Sequence, residues 1–135
     1  FGERGSDYNR HYDALVNAAD LKGTAVYLST GTGLAAESDT PGYLKDRLVN
    51  KYGVDPDAAS TRALSNAMTL QVEGGVIEAA MNACTHDLMV KMRANDVEVT
   101  HAELRNVGTH SWASWRDDLG LSYEKVFKKA LGLEQ

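Results

Sequence analysis

Only two stretches of this 135-residue chain have the composition of a β-strand, and they stand far apart in it. Thr24-Ala25-Val26-Tyr27-Leu28-Ser29-Thr30 is β-branched and aromatic, nearly continuously apolar in its middle, and stopped by Gly31-Thr32-Gly33. A run apolar on both faces predicts a central strand of a covered parallel sheet. Val97 to Leu104 is the second strand. Val97 and Val99 face one way, Ala102 and Leu104 the other, so the alternation slips near Thr100-His101 and predicts a bulge. Strand alternating with helix argues for an α/β fold with a parallel sheet. Two strands are too few for an independent sheet of that type, and a parallel pair leaves edges that need further strands or cover. The chain is therefore expected to be the C-terminal part of a larger domain.

The rest reads as loop and helix. Residues 1–22 are polar, with a short helix carrying Tyr8, Tyr12, Leu15 and Val16. Gly42 to Tyr52 can form a helix stopped by Gly53; Asp55-Pro56-Asp57 is a turn or a helix start, and Ala58 to Leu70 is alanine-rich, polar and helix-permissive. Residues 34–72 together look like an inserted, lid-like excursion. Glu73 to Asn95 is the strongest helical segment: Val76, Ile77, Ala80, Met81, Cys84, Leu88, Met89 and Met92 recur at helical spacing as one apolar stripe. Cys84 on that stripe reads as a buried small hydrophobe. Ser111 to Leu133 is helical, broken at Gly120, with Leu119, Leu121, Val126, Phe127, Ala130 and Leu131 as its apolar side.

Composition removes several classes of function. The net charge is −5 with scattered basic residues, which gives no electrostatic footprint for nucleic acid. No apolar run approaches the roughly 18 residues of a membrane span. One cysteine allows no internal disulfide or cysteine zinc site, and the four histidines lack metal-binding spacing, so no metal and no cofactor is expected. The chain opens on Phe1 without a methionine, which reads as a mature, cleaved or truncated product.

The stretch richest in chemistry is Asn106-Val107-Gly108-Thr109-His110-Ser111-Trp112-Ala113-Ser114-Trp115, between the second strand and the last helix. A histidine at a strand-to-helix loop occupies the place where α/β enzymes carry catalytic groups. Two readings are open: a general base working with a serine outside this chain, or a loop histidine with no catalytic role. Ser111 adjoins the histidine and lacks a nucleophile elbow, and nothing in the chain matches Gly-x-Ser-x-Gly.

Gly108-Thr109-His110-Ser111-Trp112, followed by a helix containing Trp115, resembles the C-terminal part of the secreted mycolyltransferases, the trehalose-ester-forming antigen family, and related secreted esterases. Gly5-Ser6-Asp7 with Asp13, the strand ending in a Gly-Thr turn followed by Ser38-Asp39, and Val72-Glu73-Gly74 fall in the family's order. The resemblance covers most of residues 5–131. It departs at Leu34 to Gln71, where this chain carries extra sequence, and between Glu73 and His110, where it is a few residues longer.

The resemblance implies the last parallel strands and flanking helices of an α/β-hydrolase fold, with a single catalytic domain whose nucleophile-bearing half lies upstream of Phe1. It implies a Ser-Glu-His triad with His110 as general base and Glu73 as the acid, placed at a helix start where the dipole favours a carboxylate. Asp39 is the alternative acid and Glu78, one turn into the helix, a weaker one. Trp112 is the implied substrate-pocket wall, and Trp115 reads as core. The implied reaction moves a mycolyl group from a trehalose mycolate-type glycolipid, through a serine acyl-enzyme, to trehalose or a cell-wall carbohydrate acceptor; ester hydrolysis on the same scaffold is the alternative. A hydrolase-derived structural or binding protein is a third, non-enzymatic class. The implied location is secreted or in the cell envelope. This chain alone is expected to be inactive without its upstream half.

Overall fold

The computed structural model describes residue 3 and residues 5–133. Phe1, on which the reading of a processed start rests, lies outside the described residues. The chain is mostly helical, with one two-stranded parallel sheet among the described residues, an arrangement compatible with α/β architecture.

In chain order the elements are α1 (Asp7–Tyr12), a 3₁₀ turn (Ala18–Leu21), β1 (Tyr27–Thr30), a 3₁₀ turn (Glu37–Asp39), α2 (Pro41–Tyr52), α3 (Pro56–Thr69), a π turn (Leu70–Gly74), α4 (Gly75–Ala94), β2 (His101–Leu104), α5 (Trp112–Ser122), a second π turn (Tyr123–Phe127) and α6 (Lys128–Ala130). Local chemistry accounts for most of the boundaries. Ser6 caps α1 by accepting the Asn9 N–H. Thr40 and Asp55 cap α2 and α3, each followed by proline at the first helical position, where a missing N–H costs nothing. Gly53 ends α2 in the left-handed conformation, φ 65°, with its N–H on the carbonyl of Val49 and that of Val54 on Leu48.

Both strands are shorter than their sequence implies. The irregularity expected at Thr100-His101 is a bend, and there Thr100 Oγ1 accepts the Val26 N–H at 3.0 Å. Regular pairing starts only beyond it, with the His101 N–H on the carbonyl of Val26 and the Arg105 N–H on that of Thr30. The helix expected to begin at Glu73 has no beginning there. α3 passes through the π turn into α4, so residues 56–94 form one helical run, and the π turn supplies the irregularity that the sequence shows as Glu73-Gly74-Gly75. The break expected at Gly120 is displaced to the second π turn, and α5 runs through the glycine.

The chain divides into two compact units. The first comprises residues 1–29, 83–103 and 120–135. Its core is Ala18, Val26, Met92 and Val97, with Leu21, Leu28, Leu88 and Val99 packed on it. Complete burial of Met92 is worth about 2 kcal/mol. The second comprises residues 30–82 and 104–119. Within it α2 packs along α3, which buries only small side chains, Ala59, Ala63 and Ala67.

Of the apolar stripe expected for α4, only the C-terminal part, Leu88, Met89 and Met92, is covered. Val76, Ile77 and Met81 are exposed, as is Cys84, so the cysteine is not a core residue. The covered line runs Glu78, Asn82, Thr85, Met89 and Met92, at alternating spacings of four and three. Its first half is polar, so in that half apolar periodicity selects Val76, Ile77 and Met81 instead. On the last helical stretch Val126 is buried while Leu119 and Leu131 stay exposed. No described helix is long and apolar enough to cross a membrane.

Candidate active site

The site lies in the second unit and begins with a crossing of backbones. After β1 the chain runs through Gly31-Thr32-Gly33, where its main chain meets two other segments with no side chain between. A Cβ on Gly31 would stand 2.6 Å from the carbonyl oxygen of Gly108, and one on Gly75 2.7 Å from that of Gly33. Gly33 also has φ +87°, a conformation L side chains rarely adopt. Hydrogen bonds close the crossing. The Gly33 N–H donates to Gly108 and the Gly108 N–H to Leu34, while Thr32 Oγ1 donates to the carbonyl of Asn106. The His110 N–H donates to the carbonyl of Gly74, inside the π turn, where the helical ladder is out of register. The histidine loop is thus tied to the end of β1 and to the helical run at once.

Glu78, one turn into α4, reaches this junction. Its Oε1 accepts the Gly31 N–H at 2.8 Å and faces Thr30 Oγ1 at 3.4 Å, and its Oε2 stands 3.1 Å from His110 Nδ1. Asn82, four residues on and on the same face, donates to the carbonyl of Gly31 at 2.9 Å. The carboxylate side chain is 12% exposed and the imidazole 35%. Nε2 of His110 has no hydrogen-bond partner among the described residues. The arrangement is a carboxylate fixed by a backbone N–H, an imidazole oriented by that carboxylate, and a second ring nitrogen left for chemistry.

Trp115 stands edge-on to His110, with ring centroids 4.6 Å apart, and Trp112 stands edge-on to Trp115 at 4.9 Å. Trp112, at the first position of α5, is 78% exposed. The indoles border an open groove of about 610 Å³, with Arg47 and Lys51 of α2 on its other side. At the rear, Arg105 and Asp118 form a paired-oxygen ion pair that ties the residue after β2 to α5.

The structure brings together only some of the residues expected from sequence. His110 is at the loop between β2 and α5, and Trp112 borders the groove near it. Glu73 is an exposed residue inside the π turn, without a hydrogen bond to His110; no helix starts there to favour its charge. Asp39 is wholly buried. Its Oδ2 accepts the N–H groups of Ala36 and Thr109, so it braces the histidine loop from one residue away. Glu78 makes the contact to the ring. Trp115, read as core, is the tryptophan that touches the imidazole. The signal for Glu78 was present in the sequence: Glu78 and Asn82 are the polar pair at helical spacing directly after Gly74-Gly75, where close backbone approach is allowed.

Among the described residues no group of three or more His, Cys, Asp or Glu side chains is placed to hold a metal ion. No family model, curated protein or solved structure matches the chain.

Proposed function

We propose that Glu78 and His110 are the acid and base of a serine acyl-transfer site whose serine lies on polypeptide outside this sequence. The observation that carries the reading is the Glu78–His110 contact at Nδ1, with Nε2 left without a partner among the described residues. With a proton on Nδ1, Glu78 holds the tautomer in which Nε2 accepts a proton, and it stabilises the imidazolium that follows. The serine hydroxyl gives its proton to Nε2 as its oxygen attacks an ester carbonyl. Nε2 returns the proton to the departing alcohol, leaving an acyl-enzyme. An acceptor hydroxyl then loses its proton to Nε2 and attacks the acyl carbon, the bond to the serine oxygen breaks, and that oxygen takes the proton back from Nε2. The acid is assigned to Glu78 rather than to Glu73 or Asp39, because it alone of the three is in contact with the ring.

The α/β-hydrolase fold and the substrate class come from the resemblance of Gly108-Thr109-His110-Ser111-Trp112 to secreted mycolyltransferases. On that reading the donor is a trehalose mycolate-type glycolipid, the acceptor trehalose or a cell-wall carbohydrate, and the site of action the cell envelope. The exposed indole of Trp112 supports it, since a flat apolar surface packs against one face of a sugar ring and leaves the hydroxyls in water. The exposed row Val72, Val76, Ile77 and Met81 supports a further layer of polypeptide, the upstream half, over the helical run. Hydrolysis of the same acyl-enzyme is the second reading, favoured by the exposure of the imidazole to water.

The test is fluorophosphonate labelling and p-nitrophenyl ester turnover by the polypeptide that carries both this sequence and the serine. His110→Gln is expected to lower turnover on the order of 10⁴-fold or more, and Glu78→Gln by about 10²- to 10⁴-fold, with Glu73→Gln unchanged. Full turnover by His110→Gln, or no labelling of the native polypeptide, overturns the reading.

A further inference from the structure

The groove beside Trp112 has a charge that the catalytic reading leaves unused. It is lined by Trp112, Trp115, Arg116 and Leu119 of α5 and by Arg47 and Lys51 of α2. Arg116 is neutralised by Asp117 on its own helix. Arg47 and Lys51 lie one helical turn apart on α2, both over the ring of Tyr52. No carboxylate stands within ion-pair distance of either among the described residues. Arg47 also donates to the Tyr52 hydroxyl at 3.5 Å. The chain as a whole carries a net charge of −5, so two cations without a described carboxylate partner, lining one groove with two indoles, concentrate positive potential at one place on an acidic protein. These indoles are the only tryptophans in the sequence.

The shape decides what kind of anion fits. An alkyl chain laid in an open groove would leave much of its surface in water. A sugar ring needs one apolar face covered and keeps its hydroxyls wet, which an indole that is mostly exposed provides. A phosphate or carboxylate on that sugar would meet a forked guanidinium and a mobile ammonium.

We propose that the groove between α2 and α5 is a subsite for an anionic carbohydrate, with the sugar ring on Trp112 and its phosphate or carboxylate on Arg47 and Lys51. Its role as the anchor of the acyl acceptor rests on the acyl-transfer reading; the binding does not. Arg47 and Lys51 lie in residues 34–72 and touch no reacting atom, so they set acceptor specificity rather than take part in the chemistry.

Tryptophan emission of this chain reports the groove directly, because both indoles border it. Four probes are titrated: glucose 6-phosphate, glucuronate, glucose and inorganic phosphate. Saturable change is expected with glucose 6-phosphate, glucuronate or both, about tenfold tighter than with glucose and with inorganic phosphate. Whichever anionic sugar binds more tightly identifies the charged group. Lys51→Glu, an exposed helical position, and Arg47→Gln should each weaken that binding about tenfold with circular dichroism unchanged. Raised salt should weaken it as well. Equal affinity for glucose and glucose 6-phosphate, equal affinity for inorganic phosphate alone, no saturable change with any probe, or full binding by Lys51→Glu overturns the proposal. A flat titration alongside fluorophosphonate labelling of the complete polypeptide sinks the subsite and leaves the acyl-transfer reading standing; saturable binding without labelling does the reverse.

Discussion

The two units of this chain are built from different materials. In the first, the deepest positions hold Met92, Val97 and Val26, and the interior is made by side chains. In the second they hold Ala59, Ala63 and Ala67, together with Asp39, Thr109 and Ser111, and the tightest approaches are between backbones at Gly31, Gly33, Gly75 and Gly108. A side-chain core can repack around a changed residue, because neighbouring rotamers shift. A backbone crossing has no such freedom. The Glu78–His110 pair stands on the crossing, and this teaches how it is held: a carboxylate held to the Gly31 N–H and a histidine held to the carbonyl of Gly74 inherit the rigidity of the main chain.

The comparison can be broken at its strongest point first. Gly33→Ala should cost about 4 kcal/mol, from overpacking against Gly75 and from the unfavourable φ together, measured by urea unfolding followed by tryptophan emission. A loss below about 1 kcal/mol would mean that the crossing yields like an ordinary core. Met92→Ala should cost about 3 kcal/mol in circular-dichroism melting, and Met92→Leu less than about 1.5 kcal/mol. If the leucine variant is as damaging as the alanine variant, the first unit is as unforgiving as the second. The smallest effect has the opposite sign. Thr109 Oγ1 is buried without a hydrogen-bond partner, so Thr109→Val should stabilise by about 1 kcal/mol while keeping the side-chain shape. Destabilisation of that variant would show that the hydroxyl is satisfied after all.

What could be read from sequence was what local chemistry decides. The Gly31-Thr32-Gly33 stop, the Gly53 termination and the Asp55-Pro56 start each depend on a few adjacent residues. The histidine loop was visible because Gly108 to Trp112 is one contiguous string. The face of α4 was not. Its buried line begins with Glu78 and Asn82, and these are inward because of Gly31 and the histidine loop, 32 to 51 residues away from them in the chain. Tertiary hydrogen bonds overrode apolar periodicity there. The same cause puts Glu78 against His110 rather than Glu73, which a helix start would have favoured. The groove was also beyond reach of sequence alone, since Arg47 and Lys51 meet Trp112 only once α2 and α5 are in place.

The π turn at Leu70–Gly74 carries a consequence for phase. An α-helix advances about 100° per residue, and a π turn holds one residue more than an α turn would. Removing a single residue from this segment would let α3 and α4 join in unbroken α register and would rotate Glu78 by roughly a quarter-turn away from the histidine. A deletion that changes no contacting side chain would thereby part Glu78 from His110. Insertions and deletions near position 72 are therefore far more consequential for this chain than substitutions at the same exposed positions.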